Sequence, residues 1–184
     1  MLKAVAAALV LVAAGSSAAS AFTIRGTAQV ADSDILTMDG YGIYLFGMES
    51  VEERQDCAID GQAWQCWAAA VRELQTILSE GEVVCETITE PTRTRQVIAW
   101  CTVNGEDIAE RFVRAGYGLP IGAETDSYFD DMLEAADAKR GLWQGAFEPP
   151  AQWRARNSVF VDRPPFRPVN PLPDLPPPVL PEGR

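Results

Sequence analysis

The chain has 184 residues, a formal net charge of −11 and no histidine. The missing histidine excludes His-based nucleophilic triads, His general bases and His-ligated zinc. The length suits one ordinary domain with extensions, and the acidic balance repels phosphate backbones, which disfavours nucleic acid as a partner.

Residues 1–21 read as a secretory signal peptide. Lys3 supplies a positive n-region, Ala4 to Ala14 an apolar run too short to span a bilayer, and Ala19-Ser20-Ala21 a small-residue cleavage site. An exported protein, periplasmic or secreted, is therefore expected. No later stretch is long and apolar enough for a membrane span, and a monomer is expected.

From Phe22 to Ala31 the pattern alternates as in a first strand. Asp32 and Asp34 fall in the turn that follows. Asp39-Gly40 is a hairpin signal between Ile35-Leu36 and Ile43–Phe46, and Glu49 and Glu52 come after that third strand. Carboxylates converging from separate strand ends suit a hard cation such as calcium, which takes six to eight oxygen ligands. The alternative is that they are solvated turn residues.

Gln55 to Gly61 reads as a polar loop and Gln62 as the start of a helix. Its stripe is Trp67, Val71, Leu74 and Leu78, broadened by Ala63, Ala70 and Ile77, and Gly81 ends it. Val83–Thr89 and Gln96–Val103 read as a hairpin, in which Cys85 and Cys101 lie symmetrically about Arg93. Four cysteines in an exported domain favour two disulfides. The hairpin puts Cys85 opposite Cys101, within bridging distance, which leaves Cys57 with Cys66. Zinc is disfavoured because the C-x-x-C pairs of a zinc ribbon are missing.

A short helix is expected from Asp107, with Ile108, Phe112 and Ala115 on one face and Gly116 as its stop. A third helix is expected after Asp126-Ser127, burying Phe129, Met132, Leu133 and Ala136 and ending at Gly141. The domain spans 22–160. Residues 161–184 form a proline-rich tail that favours polyproline II or disorder, either a spacer or a docking ligand for an unknown protein partner.

Three strands, a helix, two strands and two further helices match an α+β fold dominated by a five-stranded Greek-key OB barrel. Within that order, IYLFGMESVE resembles the I-R-L-x-G-I-D-x-P-E segment of the staphylococcal-nuclease (thermonuclease) family. VADSDIL resembles its I-D-G-D-T turn, VNGEDIAERFVRAGYG its D-G-x-x-V-N-x-x-L-V-x-x-G-x-A helix, and AKRGLW its closing A-x-x-x-x-G-L-W. The likeness runs from Thr23 to Arg156. It implies calcium held by Asp34, Glu49 and the carbonyl of Ser50, with Glu52 handling the proton of the attacking water. Arg95 would be a phosphate-binding arginine, or Gln96 would fall in that slot if the segment is aligned backwards from Cys101.

The chain also departs from the pattern. Tyr44 stands where the family has the arginine of I-R-L, Glu49 replaces an aspartate, and Val51 replaces a proline. A phenol cannot supply a charged bidentate grip on phosphate. The leading expectation is a nuclease-like domain with weak or lost phosphodiesterase activity that serves as a binding or structural module. The alternatives are an active calcium-dependent nuclease and a domain that binds calcium only for stability.

Overall fold

The computed structural model describes residues 21–159 and 163–166. The expected signal peptide, apart from Ala21, and the expected tail, apart from residues 163–166, lie outside them. The elements in chain order are β1 (Thr23–Gly26), β2 (Gln29–Asp32), β3 (Ile35–Met38), β4 (Tyr41–Leu45), β5 (Met48–Glu49), β6 (Cys57–Ile59), β7 (Gln62–Trp64) and α1 (Cys66–Leu78). They continue with β8 (Val83–Thr87), β9 (Gln96–Val103), β10 (Glu106–Asp107), α2 (Ile108–Arg114), β11 (Leu119–Pro120), α3 (Phe129–Asp137), a 3-10 turn (Gly141–Gln144) and α4 (Pro150–Asn157). Among the described residues no helix is long and apolar enough to cross a membrane.

The main sheet runs β1-β8-β9-β4-β3-β2, with β10 added to β9. β4 pairs with β9 in parallel and the other neighbours are antiparallel. The strand expected over 22–31 is two strands, because its halves pair with opposite ends of the sheet. Only Thr27 and Ala28 separate those halves, so the ends of the path are tied together and the sheet must curl. Gly26, with φ of +149°, starts the bend in a region that side-chain-bearing residues rarely adopt. The result, among the described residues, is an α+β fold built on a curled half-barrel with four α-helices, compatible with an OB-fold.

Alternation places Ile43 and Leu45 of β4, and Val97, Ala99, Cys101 and Val103 of β9, in the main core. Leu74 and Ile77 of α1 and Ile108, Phe112 and Val113 of α2 close over them. Each such aliphatic or aromatic side chain contributes about 1.5–3 kcal/mol on burial. Asp107 caps α2 as expected, accepting from the backbone N–H of Ala109 and of Glu110 at 2.8 and 3.3 Å. The same carboxylate accepts from Trp100 Nε1 and from the Tyr128 hydroxyl, at 2.8 and 2.7 Å, which ties β9 to the start of α3. Gly116 stops α2 at φ of +86°, and a Cβ there would lie 2.3 Å from the Arg140 carbonyl oxygen.

Both disulfides form as the hairpin argument requires. Cys85 and Cys101 are directly paired residues, with Cα atoms 4.0 Å apart. Cys57–Cys66 closes a shorter loop, with Cα atoms 5.9 Å apart.

Three local expectations are corrected. Residues 57–64, read as a loop running into a helix, form the β6–β7 hairpin, with Cys57 opposite Trp64. The disulfide beside it helps hold this short pair. Ala63 therefore belongs to a strand, and α1 begins at Cys66. In α3 the buried residue is Ala135, while Phe129 and Leu133 are 39% and 57% exposed. The helix presents Asp131 towards α2, where the carboxylate accepts from Arg114 Nε at 2.9 Å. The buried positions are Tyr128 and Ala135, so the predicted stripe faces partly outward.

Candidate functional site

Four carboxylates gather where β2, β4 and β5 end. Asp32 closes β2, and its Oδ1 accepts from the Ser33 N–H and from Trp67 Nε1 of α1, both at 2.7 Å. The buried Ser33 hydroxyl donates to the Val51 carbonyl at 2.7 Å, pinning the β2–β3 turn against the chain leaving β5. Leu45 N–H donates to the Asp34 carbonyl at 3.2 Å, which holds that turn at the end of β4. Glu49 lies on β5, opposite Leu119 of β11. Ser50, buried, donates its hydroxyl to the Tyr117 carbonyl at 2.7 Å. Glu52 follows in a turn closed by Gln55, whose N–H donates to the Glu52 carbonyl at 2.9 Å.

This arrangement brings Asp34, Glu49 and Glu52 into one electrostatic neighbourhood, together with Asp32. Burial pushes the Asp34 carboxyl up to about 7; Arg163 opposes that rise, while the other three carboxylates reinforce it. Burial also raises Glu52, against a hydrogen bond and attraction from Arg154.

The groups facing these acids are arginines. Arg154 of α4 donates Nη1 to Glu52 Oε1 at 2.8 Å and Nη2 to Glu49. About a fifth of each of these three side chains is exposed. Burial works against the Arg154 charge, but its bonds to Glu49 and Glu52 outweigh it and raise its pKa. Arg163 places Nη1 3.8 Å from Asp34 Oδ2, and its guanidinium carbon lies 5.3 Å from the centre of the Tyr44 ring. The position that the nuclease pattern gives to an arginine of β4 therefore has an arginine beside it, delivered by a different part of the chain.

Arg95 does not join this group. It sits in a turn at φ of +59°, donates Nη2 to the Asp39 carbonyl at 3.1 Å and covers the Tyr41 ring at 4.1 Å. Tyr41 and Tyr44 are three residues apart, roughly 10 Å along β4, and Asp34 belongs to the Tyr44 end. Gln96 pairs with Gly42, also towards the Tyr41 end. Neither candidate for the second arginine slot faces the acids.

Among the described residues no three Asp, Glu, Cys or His side chains are grouped to hold a metal ion. Glu49 and Glu52 are engaged by one guanidinium, and Asp34 faces another. Calcium needs several oxygens converging on one point, and here positive charge already lies between them. A cavity of about 260 Å³ opens beside the cluster, lined by Asp32, Glu52, Glu53, Arg54, Trp153 and Val159. Its three carboxylates against one arginine make it a poor receptor for phosphate.

The sequence pattern does not point to Arg154 or Arg163 as partners of these acids. Proline at the first position of α4 and the buried Trp153 are signals for that helix, but nothing local singles out Arg154. No protein-family model matches the chain, and comparison with curated proteins gives no match.

Proposed function

We propose that this is an exported, staphylococcal-nuclease-like OB domain with weak or lost phosphodiesterase activity, acting as a binding module. The supporting observation is Arg154, which joins Glu49 to Glu52. By resemblance these are a metal ligand and the carboxylate that handles the water proton. Tied to a guanidinium, neither is free for its role. Tyr44 adds no charge at the phosphate position, and the arginine beside it, Arg163, is held by Glu124; losing one such stabilising group costs on the order of 3–4 kcal/mol, or 10²–10³ in rate. Paired cysteines at Cys57–Cys66 and Cys85–Cys101 suit an oxidising compartment.

The test is cleavage of single-stranded DNA and RNA by the oxidised protein, with calcium or with chelator, beside Glu52→Gln. Cleavage no faster than that of the variant is expected. Calcium-dependent cutting abolished by the substitution would overturn the reading and establish the alternative, a working calcium-dependent nuclease.

A further inference from the structure

The outer face of the curled sheet is apolar where β4 and β9 meet. Tyr44, Phe46, Ile88 and Ile98 form a second cluster there, separate from the main core and each less than a tenth exposed. β4 and β9 pair in parallel, and parallel strands are normally covered on both faces, so this seam calls for a covering segment. Phe166 packs on the cluster, its ring 6.0 Å from that of Phe46, with Ile35 and Trp100 beside it. Pro164 is buried as well.

Beside the apolar cluster lies a fixed anion. The Glu124 side chain is 4% exposed, and its Oε2 accepts from the Gly47 N–H at 2.8 Å, so the backbone orients it. Arg163 grips it with Nε at 3.1 Å from Oε1 and Nη2 at 3.0 Å from either oxygen. Nη2 also donates to the Leu45 carbonyl at 3.1 Å, and the guanidinium lies over the Tyr44 ring. A buried carboxylate held by backbone, an aromatic platform and an adjoining apolar patch together recognise arginine followed by an aromatic residue. The two prolines between them restrict φ, so an extended peptide loses less entropy on docking.

We propose that this groove is a binding site for an extended, proline-containing peptide with an arginine three residues ahead of an aromatic residue, and that Arg163–Phe166 is its occupant in cis. The inference rests on the binding-module reading and names the class of partner for it. A short connection from Val159 gives the tethered segment a millimolar effective concentration. A partner in trans must therefore bind better, or act on a chain whose own segment has been released. Net charge of −11 favours such a basic ligand.

The probe is an end-labelled synthetic peptide with the sequence of residues 161–168, followed by fluorescence anisotropy against the full chain carrying Arg163→Ala and Phe166→Ala. Saturable binding is expected, at least tenfold tighter than to the wild-type chain. It should weaken at least tenfold when the peptide's arginine or phenylalanine becomes alanine, or when Glu124→Gln is added to the chain. Absence of binding to the folded double variant, or binding insensitive to those changes, overturns the proposal.

A second protein guards against a variant that does not fold. It keeps every groove residue and carries a protease site in place of residues 160–162. Peptide binding that appears only after cutting supports the site, and a cut chain that never exchanges its segment for the probe overturns it. Nucleic-acid cleavage is read separately, so a chain that cuts DNA and binds the peptide refutes only the preceding reading.

Discussion

Asp34→Asn isolates the electrostatic cost of the acidic cluster. The carboxyl titrates near 3.8 when unfolded and is pushed up to about 7 in the fold, chiefly by burial. Because the folded pKa is the higher one, the folded state binds the proton more tightly. Ionised Asp34 therefore destabilises the protein fully above pH 7 and not at all below pH 4. At 1.36 kcal/mol per pH unit, an interval of roughly three units sets a ceiling of about 4 kcal/mol. About a sixth of the side chain reaches solvent, so an effect of about 2–4 kcal/mol is expected. The assay is urea denaturation of the oxidised wild type and Asp34→Asn between pH 4 and pH 8. Glu52, Asp107 and Asp131 are raised too, so the difference between the two proteins is the quantity to follow. The asparagine protein should gain relative to wild type as pH rises, with most of the gain between pH 4 and pH 7. A difference that stays flat, or grows as pH falls, would show that Asp34 is not desolvated and that Arg163 dominates its environment.

Arg154→Met leaves Glu49 and Glu52 facing each other without their shared cation. A loss of about 2–3 kcal/mol is expected, below the 3–5 kcal/mol of a fully buried pair because these groups are partly wet. Adding Glu49→Gln and Glu52→Gln should restore most of it, and recovery of less than half in chemical denaturation would count against the pairing. Replacing Cys85 and Cys101 by serine opens a loop with a sequence separation of 16, with an expected cost of about 3 kcal/mol. Cys57→Ser with Cys66→Ser, across a separation of 9, should cost less, and the reverse order in Tm would contradict the loop argument.

Features carried by local pattern were legible in the sequence. Alternation at Ile43–Phe46 and Gln96–Val103, the disposition of Cys85 and Cys101, the Asp107 cap and the Gly116 stop each depend on residues close in the chain or paired across one turn. The approach of Asp34, Glu49 and Glu52 could be read because short strands separate them. The cations that meet them could not. Arg154 lies 102 residues from Glu52 and 105 from Glu49, and no periodicity links charges over such distances. Composition assigns Arg163 to the tail, where surrounding prolines hide its pairing with Glu124. Only alignment with a family turn points Arg95 to the acids. The left-handed backbone there, and the Tyr41 ring beneath it, direct the side chain to the other end of the hairpin. In α3, apolar spacing named a stripe, but the buried face is the one carrying Tyr128 and Ala135, anchored by the bond from Tyr128 to Asp107 on a distant strand.

The ion pairs of Arg154 and Arg163 also make the barrel's acidic end depend on residues made after all its strands. Every strand from β1 to β11, and with them Asp34, Glu49, Glu52 and Glu124, leaves the ribosome before either arginine. A chain cut short before Arg154 would therefore keep every one of these acids and lack both cations that face them. The acidic end of the barrel is thus closed by residues that lie beyond its last strand in the chain.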